Sequence, residues 1–146
     1  MVRAENVDLS STATELRIVV GKLINQLRAQ GSRGELTWSQ AAVIACLERN
    51  GPRTISQLAR AEGVRSQSIG ATVADLEAGK FVERRADPGD GRQVVISSTN
   101  AGRQALVKAR AAKTEWLVNV IDAQLSPKEQ RALGDLVELL RRLVEE

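Results

Sequence analysis

The stretch Thr54-Ile55-Ser56-Gln57-Leu58-Ala59-Arg60-Ala61-Glu62-Gly63-Val64-Arg65-Ser66-Gln67-Ser68-Ile69-Gly70-Ala71-Thr72-Val73-Ala74-Asp75-Leu76 decides the fold. Thr54 or Ser56 can cap a helix of two turns, because a hydroxyl oxygen accepts from the otherwise unpaired amides of a first turn. Gly63-Val64 forms a tight break, and Ser66 can cap the helix that follows. Ile69, Val73 and Leu76 are spaced by four and three, which places them on one buried face. Two short helices across a glycine-containing turn make a helix-turn-helix.

After Gly79 the period changes from helical to two. Phe81-Val82-Glu83-Arg84-Arg85 reads as one strand and Gln93-Val94-Val95-Ile96-Ser97 as its partner. Asp87-Pro88-Gly89-Asp90-Gly91 between them is dense in turn residues, so the pair is a hairpin with a protruding tip. Asp87 and Asp90 read as turn-formers in this company, not as a paired carboxylate site. A helix-turn-helix followed by such a hairpin is a winged helix.

Upstream, Thr37 with Gln40 three residues on forms a capping box before Val43, Ile44 and Leu47; Asn50-Gly51-Pro52 ends that helix. Leu16, Val19, Val20, Leu23, Ile24 and Leu27 mark a helix over roughly 8–30, stopped by Gly31-Ser32-Arg33-Gly34. Downstream, Thr99 caps a helix over roughly 100–123. Ser126-Pro127 opens another to about 144, with Pro at its first position and Glu129 completing a Ser-x-x-Glu box. The expected fold class is mainly α with a small β-hairpin. A winged helix-turn-helix, 35–100, is flanked by N- and C-terminal dimerisation helices, 1–30 and 101–146, in one domain spanning 1–146. The last helix carries Leu133, Leu136, Val137, Leu140, Leu143 and Val144. A winged helix of this size cannot cover that stripe and the one on the first helix, so a homodimer is expected.

The formal net charge of +3 over 146 residues hides an uneven layout. Residues 1–48 hold five basic and five acidic side chains, 49–113 twelve and six, and 114–146 four and seven. A basic body between neutral and acidic ends suits a polyanion on one surface. Absences narrow the chemistry further: no His, no Tyr, one Cys, one Phe and two Trp. No metal, cofactor or catalytic site is expected, since a His/Cys zinc site, a His triad and a Cys–His dyad lack their residues. An internal disulfide needs a second cysteine, and three aromatics make a poor base-stacking platform. No apolar run approaches a bilayer span and no signal-peptide core is present, so a cytoplasmic protein without membrane partners is expected.

The order of elements and several motifs resemble the MarR family of bacterial transcription regulators. Leu36-Thr37-Trp38-Ser39-Gln40 resembles the family's Leu-Thr-x-x-Gln, and Leu58-Ala59, Gly63-Val64, Val73 and Leu76 fall at its helix-turn-helix core positions. Asp90-Gly91-Arg92 resembles the Asp-x-Arg of its wing, and Thr99 with Gly102 its Thr-x-x-Gly. The gap-free match runs from Leu36 to Gly102. The resemblance implies a triangular homodimer with one recognition helix per protomer in the major groove and wings on the flanking minor groove. It also implies a repressor on a pseudo-palindromic operator, with a small aromatic or anionic effector between dimerisation helices and winged helix. The chain departs from the family at Gly70-Ala71, where Thr-Arg is frequent, and at Gly79-Lys80, where Lys-Gly is frequent. The first departure removes an expected arginine contact.

The DNA-binding residues expected on the recognition helix are Arg65, Ser66, Gln67, Ser68, Gly70 and Ala71. Gln67 can bond adenine through two hydrogen bonds, Arg65 can reach guanine or phosphate, and Gly70-Ala71 suits close approach or a thymine methyl. Thr72 is expected to pack. On the hairpin Gly91 and Arg92 are expected at the minor groove, where negative potential favours a guanidinium, with Asp90 holding Arg92 or the turn. Arg84 and Arg85 point to opposite faces, one toward phosphate and the other into an internal ion pair. Trp38 is a possible ligand-pocket wall. Cys46, among Ile44, Ala45 and Leu47, is expected to pack as an inert thiol. The competing reading is a winged-helix protein-interaction module without sequence-specific DNA readout.

Overall fold

The computed structural model describes residues 7–31 and 35–145. The expected helix stop at Ser32-Arg33-Gly34 lies outside the described residues. Among the described residues six helices and one hairpin follow in order: α1 Leu9–Ala29, α2 Trp38–Asn50, α3 Ile55–Glu62, α4 Ser66–Ala78, β1 Val82–Ala86, β2 Val94–Ser98, α5 Asn100–Gln124 and α6 Pro127–Val144.

Local capping chemistry sets most of these bounds. Thr37 and Gln40, Thr54 and Gln57, and Ser126 and Glu129 each form a reciprocal capping box at the start of α2, α3 and α6. Thr54, not Ser56, therefore caps α3. At α6 the Ser126 amide and hydroxyl hold the Glu129 carboxylate below its ordinary pKa of 4.5. Asp8 caps α1 by accepting from the Ser10 and Ser11 amides at 3.1 and 3.4 Å. Gly63 sits at φ 66°, the left-handed conformation that ends α3 and turns the chain into α4.

Expectation and structure part at the next position. Ser66 does not cap α4; it is the first helical residue, Arg65 is the N-cap, and no side chain caps this helix. The strands also start one residue later than expected. Phe81 is excluded from β1 because its amide is diverted to Leu76 O (2.9 Å), although its carbonyl still accepts from the Thr99 amide (3.1 Å). The amide of Gln93 closes the turn on Asp90 O at 3.0 Å instead of entering β2.

The hairpin is antiparallel with Arg84 opposite Ile96 and Arg85 opposite Val95. Arg53 adds a rung on the far side of β2, its amide reaching Ile96 O at 3.1 Å and its carbonyl accepting from Ile96 N at 2.7 Å. One hydrophobic core joins α2 (Val43, Ile44, Leu47), α3 (Leu58), α4 (Ile69, Val73, Leu76), the hairpin (Val82, Ile96) and α5 (Leu106). Cys46 is buried in it, with the Asn50 amide nitrogen donating to its Sγ at 3.5 Å.

The Gly79-Lys80 pair has a steric explanation. A Cβ at 79 would lie 2.8 Å from the Phe81 ring, while residue 80 carries the left-handed backbone at φ 61°. Lys80 holds a conformation that suits glycine. Gly102 is required for space: a Cβ there would stand 2.2 Å from Phe81 O. That contact seats α5 against the start of the hairpin, where Thr99 Oγ1 also donates to Lys80 O at 2.7 Å.

The terminal helices contrast with this core. Neither α1 nor α6 contains a buried residue. Leu9, Leu143 and Val144 are 76%, 71% and 81% exposed, and Val19, Val20, Leu136 and Val137 are exposed as well. Leu16 of α1 and Leu136, Leu139, Leu140 and Leu143 of α6 line an open apolar cleft.

Candidate nucleic-acid interface

The buried residues of α4, Ile69, Val73 and Leu76, point its opposite face outward. That face carries Gln67, Ala71, Ala74 and Ala78, spaced by four, three and four residues and all exposed. Gly70 borders it, with open space where a Cβ would project. In the first turn the Ser68 and Ile69 amides return to Arg65 O at 3.0 and 3.2 Å. With no side-chain cap ahead of them, the Ser66 and Gln67 amides remain directed along the helix axis, where a helix N-terminus favours an anion. Thr72 donates its hydroxyl to Ser68 O, one turn back on the same helix, at 3.0 Å.

Ser68 does not share the outward face. It lines, with Ile69, Thr72, Trp38 and Arg28, a cleft of about 270 Å³ on the side of α4 that looks toward α1. Arg65, Ser66, Gln67, Ser68, Gly70 and Ala71 thus all stand at the start of α4, all exposed but the half-buried Gly70, with Ser68 on its cleft side.

The hairpin tip is organised by its acidic residues. Asp87 Oδ1 accepts from the Gly89 amide at 2.9 Å and Asp90 Oδ1 from the Arg92 amide at 3.1 Å. Asp90 therefore structures the turn through the backbone of Arg92, not through its guanidinium. Among the described residues no ion pair restrains the side chain of Arg92 or of Arg65. The expectation that one of Arg84 and Arg85 is paired and the other free is corrected. Arg84 Nε meets Glu77 Oε2 at 2.9 Å, tying the hairpin to the end of α4, and Arg85 Nη2 meets Glu83 Oε1 at 2.8 Å. The strand alternation does send them to opposite faces, but each face supplies a glutamate. Both pairs are half-exposed and worth at most about 1 kcal/mol, so either arginine can exchange its partner for a phosphate.

Trp38 stands where the terminal helices join this lobe. The Arg28 guanidinium of α1 lies 5.0 Å from its ring centre and the Lys113 ammonium of α5 lies 5.8 Å away. Lys113 also donates to Gln30 O at 2.8 Å. Trp38 further borders a cleft of about 420 Å³ between α2 and α5, floored by Ala41, Ala42, Ala45, Leu106 and Ala109 and rimmed by Arg49, Arg110, Lys113 and Glu62. Neither cation around Trp38 was legible as its partner, because Arg28 and Lys113 are ten and seventy-five residues away in sequence. The basic excess of residues 49–113 was a signal for Lys113 alone, since Arg28 lies in the charge-balanced segment 1–48.

Among the described residues no cluster of His, Cys, Asp or Glu could hold a metal ion, and no helix is long and apolar enough to cross a membrane.

The winged helix, its exposed α4 and a hairpin that carries Arg84, Arg85 and Arg92 define a helix-turn-helix transcriptional regulator. Residues 35–93 match the MarR family. An HTH-type transcriptional regulator of Mycobacterium tuberculosis is 34% identical over 134 residues, covering 92% of this chain and 93% of that protein. The crystal structure of a transcriptional regulator from Pseudomonas aeruginosa is 33% identical, superposes with a TM-score of 0.77, and covers 93% of this chain and 96% of the other. Staphylococcus aureus MepR, in a mutant form bound to an oligodeoxyribonucleotide, has the same fold at 20% identity and a TM-score of 0.63, covering 90% of this chain and 97% of its own. The chain belongs to the MarR family of transcriptional regulators.

Proposed function

We propose that the chain is a sequence-specific double-stranded DNA-binding repressor that works as a ligand-responsive homodimer. The observation that carries this reading is the start of α4. It is exposed and uncapped, no described residue covers its outward face, and it stands beside a wing whose Arg92 has no ion pair among the described residues. Within that reading the whole chain is one domain, with 35–100 as the DNA-binding lobe and 1–30 and 101–146 as dimerisation helices. The Gln67 side enters the major groove, Ser66 and Gln67 amides with Arg65 hold a phosphate, and Arg92 enters the flanking minor groove from the Gly91 turn.

The absence of any buried residue on α1 and α6 supports dimerisation. Apolar stripes this exposed on two long helices favour burial against a second copy. A two-fold dimer presents two α4 helices to half-sites about 10 bp apart on a pseudo-palindrome. The cleft beside Trp38 supports the effector. Its apolar floor fits a flat ring, and Arg110 and Lys113 fit a carboxylate. A ligand there sits between α2 of the lobe and α5 of the dimerisation region, and shifts the population of dimer geometries if it favours one spacing of the α4 helices. The acidic turn, which would otherwise favour a protein partner, has its carboxylates bonded to Gly89 and Arg92 amides.

The test is equilibrium binding to DNA upstream of the chain's own gene, against a scrambled duplex at physiological salt, with light scattering on the same sample. Preference for the upstream duplex by a species of twice the chain mass is expected. Equal binding to both duplexes refutes sequence-specific function, and a monomeric mass refutes the dimer. Expression from that upstream region should rise on loss of the gene, and an aromatic carboxylate should lower the affinity.

A further inference from the structure

We infer that Gln67 is the one side chain through which α4 reads base identity by hydrogen bonding. The half-site under it therefore places an adenine next to a thymine whose methyl meets Ala71. This inference rests on the DNA-binding reading above and goes on to the chemistry of the sequence recognised.

The outward line of α4 contains Gln67 and then Ala71, Ala74 and Ala78, so past the first turn it offers methyl groups and no donor or acceptor. The other polar side chains of the helix lie off that line or are held. Ser68 lines the cleft toward α1, Thr72 donates to Ser68 O, and Glu77 holds Arg84. Asp75 lies off that line and carries a charge that phosphates repel. Ser66 is exposed but short, and stands at the first position of the helix, where its amide faces the phosphate.

A carboxamide has one donor and one acceptor in the geometry that adenine N7 and N6 complement. Gly70 leaves open space beside Gln67, so nothing on the helix holds the base edges away. The apolar group displayed on the major-groove edge is the thymine C5-methyl, which is the complement of an alanine methyl. Guanine readout has no guanidinium on this line to perform it; Arg65 precedes the helix, beside the amides that take the phosphate.

The experiment is selection of duplexes from a random pool by the full chain, run in parallel with Gln67→Ala, an exposed change that leaves the core untouched. The native chain is expected to enrich a two-fold motif with an adenine and an adjacent thymine in each half. Gln67→Ala is expected to lose preference at the adenine alone, where the native chain discriminates by roughly 5- to 150-fold. Replacing that thymine by deoxyuridine, which removes the methyl and nothing else, should weaken binding about 4-fold per half-site. A motif with a G·C core, or a Gln67→Ala preference identical to the native one, overturns the inference while leaving the DNA-binding reading intact. An unchanged affinity for the deoxyuridine duplex overturns the methyl contact. Failure to enrich any motif refutes the DNA-binding reading, and the inference with it.

Discussion

Two glycines inside helices, Gly102 in α5 and Gly70 in α4, should answer the same substitution with opposite signs. Replacing an interior helical glycine by alanine gains about 1 kcal/mol when the site has room. Gly70 has that room, since no atom lies within 4 Å of the added Cβ. Gly70→Ala should therefore stabilise by roughly 0.5–1 kcal/mol. At Gly102 the added carbon would stand 2.2 Å from Phe81 O and 3.1 Å from Phe81 C, both backbone atoms that cannot rotate aside. Relief requires α5 to retreat from the hairpin. That disturbs the bonds from the Thr99 amide to Phe81 O (3.1 Å) and from Thr99 Oγ1 to Lys80 O (2.7 Å). Overpacking costs about 1–3 kcal/mol and each weakened bond about 0.5–1.5 kcal/mol. After the helical gain, a net loss of about 3 kcal/mol remains as a central value. For a chain of this size that lowers Tm by roughly 6–12 °C. The assay is thermal and urea unfolding of the native chain and both variants at one fixed protein concentration. A Gly102→Ala variant within 0.5 kcal/mol of the native chain would refute the close packing of α5 on residue 81. A destabilised Gly70→Ala would refute the open face of α4.

Other consequences reach from the backbone to the interface. Lys80→Gly should stabilise by about 0.5–1 kcal/mol in the same unfolding assay, because it relieves a left-handed residue at φ 61°; a loss of stability would contradict that conformation. Arg92→Ala should weaken DNA binding and make the slope of log K against log salt shallower by roughly 0.9 per wing; an unchanged slope removes the wing contact. The Glu129 carboxyl, held by the Ser126 amide and hydroxyl, should titrate below 4.5 by NMR. A depressed pKa means this cap stabilises the fold above 4.5 and loses its contribution as pH falls through the folded value, so a midpoint at or above 4.5 would refute the capping box. Trp38 emission, read in a Trp116→Phe background, should respond to aromatic carboxylates, and Lys113→Ala should abolish that response.

Element identities were legible because local chemistry decides them. Thr37, Thr54, Thr99 and Ser126 each cap the helix that follows them, and Asp87 and Asp90 form the turn their neighbours suggested. Ser66 misled because a serine before a helix satisfies the capping pattern equally well one residue early, and the path out of Gly63 places Arg65 at the cap instead. The site was less legible than the fold. Which arginine is paired depends on Glu77, at the far end of α4, and on Glu83, two residues from Arg85 on the same strand face. Alternation alone separates the two arginines without showing that each face carries a glutamate. Ser68 reads as an interface residue by its position near the helix start; it is exposed, and the burial of Ile69 and Val73 sets it on the side of α4 that borders Trp38 and Arg28, which its position in sequence does not show. The Gly79-Lys80 order becomes intelligible only once the Phe81 ring is seen to occupy the space a side chain at 79 would need.

Hydroxyl-radical footprinting of the full chain on its selected duplex tests the central claim most directly, since it reads dimer symmetry and helix placement together. Two backbone protections related by a dyad, with half-site centres about 10 bp apart and flanking protection that disappears in Arg92→Ala, are the predicted result. A single asymmetric protection at saturation, or flanks unchanged by Arg92→Ala, would contradict an account in which two copies of α4 and two wings hold the DNA.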